Sequence, residues 1–169
     1  MLLLENKDFR EFVGLLNSRG VEFLIVGGHA VGLHGHPRFT GDLDIWVATD
    51  SGNAKRVAPV LKDFGFHSLK FTARDFERPG YAIQLGRPPY RIDILTSIDA
   101  VEFAAAWKRR KLVNAGGLEL AFIGLRELLV NKRATGRPLD LDGAEKLEAG
   151  IHRKAGKART KRSRRRTKQ

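Results

Sequence analysis

The chain contains no cysteine. This excludes disulfides and thiolate metal sites and agrees with a reducing compartment. Long apolar runs are missing too: stretches such as Phe23 to Val26 fall far short of the roughly 18 to 20 residues that cross a bilayer. The opening MLLLENKDF turns acidic after its leucines and does not read as a signal peptide. A cytoplasmic protein with no membrane partner is therefore expected. No internal repeat and no second domain stand out, and 169 residues fit one domain with a single buried core.

Acidic side chains are absent from the C-terminal end. Residues 152–169 hold ten Lys or Arg and no Asp or Glu, so of the net +12 the body keeps only about +2, from 21 basic and 19 acidic residues. The basic stretch also lacks an apolar stripe. A domain over 1–151 followed by a disordered basic tail over 152–169 is expected, the tail serving RNA or another polyanion, or acting only as a solubilising extension.

What is present concentrates in Val26 to Val47, VGGHAVGLHGHPRFTGDLDIWV. Alternate residues of a strand share a side, so in DLDIWV Asp42 and Asp44 put two carboxylates on one face while Leu43, Ile45 and Val47 share the other. Adjacent like charges repel unless a cation neutralises them, and the natural guest for neighbouring carboxylate oxygens is a hard divalent ion such as Mg²⁺. Ahead of them, the strand Val21 to Val26 runs into Gly27-Gly28 and a short helix over His29 to His34. Such a turn lets phosphate oxygens approach backbone N–H groups at the positive end of a helix. Standing alone, Gly27 and Gly28 would read as an ordinary tight turn.

The rest of the body alternates helices and strands. Phe9, Phe12, Val13 and Leu16 recur at helical spacing, with Gly20 as a stop. Asn53 to Phe64 forms a second helix, capped from Thr49, Asp50 or Ser51. Tyr81 to Leu85 and Tyr90 to Leu95 read as strands joined as a hairpin. In the second, Asp93 is an acid between isoleucines, costly to bury unpaired. Beside DLDIWV it would become a third metal ligand. A helix over Ala100 to Arg109, short strands at Leu112 to Asn114 and Leu118 to Ile123, a helix over Leu125 to Ala134 and a short one over Leu139 to Glu148 follow. This pattern predicts an α/β (α+β) fold with a mixed sheet flanked by helices. The spacing of His29, His34 and His36 matches no zinc signature, and Trp46 and Trp107 read as packing residues.

The order hydrophobic-Gly-Gly, a spacer of 13 residues from His29 to Gly41, Asp-hydrophobic-Asp-hydrophobic and a later strand Asp resembles the nucleotidyltransferase superfamily that includes DNA polymerase beta. GGHAVGLHGHPRFTGDLDIWV, RIDIL and NKRATGRPLDLDGAEKL together resemble small bacterial nucleotidyltransferases related to abortive-infection type toxins of toxin–antitoxin systems. The resemblance implies transfer of a nucleotide from an NTP to an acceptor hydroxyl with release of pyrophosphate. It implies Asp42, Asp44 and Asp93 as ligands of two Mg²⁺ ions, with Mn²⁺ as a substitute, and Gly27 and Gly28 as the turn that holds the triphosphate. Gly28 stands where many members carry serine, leaving only backbone donors.

Lys132 and Arg137 fall in the stretch that lies near the nucleotide in the similar enzymes; their alternative is a solvated helix face. Arg38 and Thr40 precede Asp42, and Thr40 is two residues before it, so both are candidates for the same cleft. The acceptor implied is an RNA end such as that of tRNA, or a protein hydroxyl, and the partner a cognate toxin or antitoxin. Two other readings stand beside this one: a nucleic-acid-binding regulator with the same fold and no turnover, and an aminoglycoside-type small-molecule nucleotidyltransferase.

Overall fold

The structure, a computed structural model, describes residues 2–67 and 70–166. A 3₁₀ turn, Leu2–Glu5, leads to Asn6, whose side-chain oxygen accepts hydrogen bonds from the Asp8 and Phe9 N–H groups and caps helix α1 (Lys7–Ser18). Phe9, Phe12, Val13 and Leu16 form its buried stripe, as their spacing predicts. Gly20 ends it in the left-handed region at φ 61°.

Strand β1 (Phe23–Ile25) is shorter than the expected Val21 to Val26, although both end residues are buried. Helix α2 (Gly27–Leu33) begins two residues earlier than expected and takes both glycines into its first turn. Strand β2 (Asp42–Val47) has the expected bounds. Helix α3 (Ser51–Asp63) is capped by Asp50, which accepts from the Asn53 N–H. Buried Asn53 in turn ties its side chain to the backbone of Glu22 and Ala48, locking α3 to the ends of β1 and β2.

Strands β3 (Ala82–Arg87) and β4 (Tyr90–Leu95) form the expected hairpin around Pro88-Pro89. After α4 (Phe103–Lys108), a second hairpin joins β5 (Lys111–Ala115) to β6 (Leu118–Phe122). Helix α5 (Leu125–Thr135) stops at Gly136, φ 64°, and α6 (Pro138–Arg166) follows. That last helix is longer than the expected Leu139 to Glu148: its backbone stays helical through Arg166. Ala, Lys and Arg are good helix formers, so local propensity sustains the helix where no apolar stripe does. Residues 167–169 of the expected tail lie outside the described residues.

The sheet has the order β3-β4-β2-β1-β6-β5. Pairing is antiparallel for β1 with β2, β3 with β4 and β5 with β6, and parallel for β2 with β4 and β1 with β6. The mixed α/β architecture is thus the expected one. Leu43, Ile45 and Val47 have no exposed surface, each burial contributing about 1.5 to 3 kcal/mol. On the other face Trp46 is buried edge-on to Phe103 of α4, ring centroids 5.0 Å apart, and Phe103 stacks on Trp107. Both tryptophans are packing residues, as expected. The apolar cover on that face ends at Trp46, and the two aspartates beyond it begin the polar site.

Candidate active site

Parallel pairing of β2 with β4 sets Asp44 opposite Asp93 and Asp42 opposite Arg91. Residues directly opposite on neighbouring strands share a face, about 4.8 Å apart along the hydrogen-bonding direction. The condition placed on Asp93 is therefore met: three carboxylates share one face. They differ in exposure, Asp93 being 8% exposed and Asp42 retaining 40% of its side-chain surface, with Asp44 half-buried.

Gly27 and Gly28 press the start of α2 against this group. A Cβ on Gly27, whose φ is +61°, would lie 1.9 Å from Asp44 Oδ2, and one on Gly28 would lie 2.7 Å from Thr40 Oγ1. The Val26 N–H donates to the Asp44 carbonyl at 3.0 Å, fixing the approach. Thr40 donates its hydroxyl to the Asp42 carbonyl at 3.3 Å. Only residues without side chains fit at both helix positions.

Crowding shows in the charge balance. Burial, then the charges of Asp93 and Asp42, push the Asp44 carboxyl up to about 6, while Lys132 and Arg91 act in the opposite direction. Arg91 lies across the other two acids: its Nε reaches Asp93 Oδ1 at 2.7 Å, and its Nη2 reaches Asp93 Oδ2 at 2.9 Å and Asp42 Oδ2 at 3.0 Å. The hydrogen bond to Asp93 comes first among the causes that hold its guanidinium above the usual arginine value. Sequence reading assigned Arg91 no role. Its signal was present in RIDIL, where Arg91 and Asp93 sit two apart and so share a face.

The donor set suits a hard divalent cation, being all carboxylate oxygen with one member pushed toward protonation by burial and by its two acidic neighbours. In the arrangement seen, the guanidinium takes that role. Among the described residues no group of three His, Cys, Asp or Glu side chains is disposed to hold a metal ion as it stands. Asp42, Asp44 and Asp93 are the residues that would hold one.

Lys132 is not on a solvated face, correcting that alternative: it is 4% exposed and its Nζ bonds Asp140 Oδ1 at 2.5 Å. Burial works upward on Asp140, but the Lys132 bond and charge, with Thr135 and Arg137, hold it below the usual carboxylate range. Packing of α5 on α6 creates this pair. Arg137 is exposed; its carbonyl starts α6 by accepting from the Asp140 and Leu141 N–H groups. Of the candidates, Gly27, Gly28, Thr40, Asp42, Asp44 and Asp93 are assembled in one place. Lys132 is within electrostatic reach of Asp44, and Arg137 belongs to the Lys132–Asp140 group.

Beside Thr40 and Tyr90 opens a cleft of about 470 Å³ that Lys7, Phe9, His29 and Arg38 also line. His29 is neutral at physiological pH, because burial lowers it to about 4, and its Nε2 has no hydrogen-bond partner among the described residues. His34 bonds the Ile123 carbonyl at 2.8 Å and is structural.

A family model described as "Nucleotidyl transferase of unknown function (DUF2204)" matches residues 5–169. The chain belongs to this family. Among solved structures it is similar to a Thermotoga maritima protein assigned as a nucleotidyltransferase, at 16% identity over 85% of this chain and 90% of that one, TM-score 0.50. It is also similar to an antigenic nucleotidyltransferase-like protein from Paracoccidioides brasiliensis, at 19% identity over 80% and 71%, TM-score 0.47. No curated protein matches. As a nucleotidyltransferase family member, the chain has a nucleotide as its implied substrate. No helix among the described residues is long and apolar enough to cross a membrane.

Proposed function

We propose that this DUF2204 member transfers a nucleotide from an NTP to a hydroxyl at an RNA end, using Asp42, Asp44 and Asp93. The observation that carries the reading is the Asp44–Asp93 register on parallel strands, with Asp42 on the same face and the Gly27 backbone against it. A divalent ion bound there supplies neutralisation of triphosphate charge, the main requirement of in-line displacement at phosphorus. The three carboxylates would hold that ion, and the Gly27-Gly28 backbone lodged against them would meet the phosphate oxygens. The acceptor oxygen bonds to the α-phosphorus, the bond to the β-phosphate oxygen breaks, pyrophosphate leaves, and Asp93 accepts the hydroxyl proton. Ten Lys or Arg in residues 152–169 favour RNA over a protein acceptor, because polycations attract phosphate backbones. A toxin–antitoxin setting belongs to this same reading.

One observation favours a second reading: Arg91 already balances part of the carboxylate charge, as a protein that only binds nucleic acid would retain. Incubation with each α-labelled NTP, Mg²⁺ and total RNA or lysate separates the two. Label should enter RNA with the wild-type chain and not with Asp42→Asn, Asp44→Asn or Asp93→Asn. Label in protein would move the acceptor to a protein hydroxyl. No label from any chain would favour the silent regulator, and equal label from all four would show that the three aspartates do not carry the transfer.

A further inference from the structure

We propose that Arg91 is a resident counter-cation that a divalent ion must displace from Asp42 and Asp93, and that the released guanidinium then grips the phosphates of the incoming nucleotide. The inference rests on the reading of the three aspartates as metal ligands and adds a residue and an order of events to it. Arg91 uses its planar fork against both oxygens of Asp93, at 2.7 and 2.9 Å, and reaches Asp42 Oδ2 at 3.0 Å. Oxygens held by charged N–H groups at such distances are satisfied acceptors. A cation seeking them as ligands competes with the guanidinium for the same lone pairs. Arg91 cannot simply stay, because a second positive charge among the same oxygens would be repelled.

Position decides where the arginine goes. Its backbone is fixed in β4, opposite Asp42 and next to Tyr90, and its side chain keeps 26% of its surface exposed at the open edge of the group. Withdrawal therefore moves the charge only as far as the chain reaches, and it stays on the side of the sheet that Arg91 shares with Asp42 and Asp93. An NTP arriving with its metal brings phosphate oxygens to that side. Guanidinium binds phosphate with the same bidentate geometry it uses for carboxylate, so one anion replaces another. Lys132 cannot do this from its present place, since its amine is buried on Asp140.

Opposite changes in two affinities form the test. Mn²⁺ binding, followed by electron paramagnetic resonance without nucleotide, should be roughly tenfold tighter or more for Arg91→Gln than for wild type, because no competitor remains. Binding of inorganic tripolyphosphate at saturating Mn²⁺ should be roughly tenfold weaker or more for the same variant. Arg91→Lys, which keeps the charge but loses the fork, should fall between them on both measures, and it carries the test alone if Arg91→Gln does not fold. A residue with a merely structural role would lower both affinities together, and that result would overturn the proposal. Equal Mn²⁺ affinity in all chains would overturn displacement while leaving the aspartates as ligands. No Mn²⁺ binding by any chain would overturn both.

Discussion

Asp44→Asn should raise the stability of the metal-free protein at neutral pH and leave it unchanged in acid. The carboxyl rises from 3.8 to about 6 on folding, first through burial and then through its two acidic neighbours. A raised folded-state pKa means the native protein keeps a proton that the unfolded chain releases. Its stabilising share is thus full below about pH 4 and is lost as pH rises through about 6. Each pKa unit corresponds to about 1.4 kcal/mol, so the whole shift amounts to about 3 kcal/mol. Asp44 is half-buried and its neighbours relax around it, so about half of that is expected. For a chain of this size, about 1.5 kcal/mol corresponds to roughly 3 to 6 °C in melting temperature. Calorimetric melts in chelator should coincide for wild type and Asp44→Asn at pH 4 and separate by that amount at pH 7.5, the variant melting higher. Added Mg²⁺ should then raise the wild type and not the variant. A difference that is the same at both pH values, or of the opposite sign, would refute the electrostatic origin assigned to the strain on Asp44.

Gly27→Ala meets two penalties, a left-handed backbone and a Cβ only 1.9 Å from Asp44 Oδ2, and should lose about 2 to 4 kcal/mol in denaturant titration; a loss under about 0.5 kcal/mol would show that the turn is not tightly held. Lys132→Met leaves Asp140 unpaired in a mostly buried place and should cost about 3 kcal/mol. Combining it with Asp140→Leu should recover most of that loss. Near-neutral behaviour of Lys132→Met alone, within about 0.5 kcal/mol, would return the lysine to a solvated face.

The parts of this arrangement that were legible in the sequence are those set by local period. DLDIWV announces a strand with acids on one side and aliphatics on the other, and β2 has those bounds and faces. Phe9, Phe12, Val13 and Leu16 likewise spell out the buried stripe of α1. Adjacency is a different matter. Nothing within YRIDIL states which strand it will pair with, so Asp93 entered only conditionally, and the parallel ladder with β2 supplies the answer. Arg91 went unassigned for the same reason: its partner Asp42 is 49 positions away, and an arginine beside an apolar strand reads equally well as solvated. The choice between a site and a solvated face for Lys132 stayed open in the sequence because its burial depends on α6 folding back onto α5, a contact between elements that no window of sequence contains. The long run of α6 escaped for the opposite reason, since its helix follows propensity alone where apolar period was the signal sought.

Counting charges on the shared face shows why these residues act as one unit. Asp42, Asp44 and Asp93 bring three negative charges and Arg91 brings one positive, and all three of the Arg91 bonds in the group go to Asp42 and Asp93. Asp44 receives no side-chain hydrogen bond among the described residues, and it is the carboxyl driven up to about 6. Lys132 offsets it only from a distance, because its amine is committed to Asp140. The protein thus satisfies two of its acids with a guanidinium and leaves the third, lodged against the Gly27 backbone, to be settled by a proton or by a cation from outside. Proton, arginine and divalent ion are three neutralisers for one set of oxygens. Moving from the first two to the third is the change that would convert a folded, self-balanced sheet face into one able to accept a triphosphate.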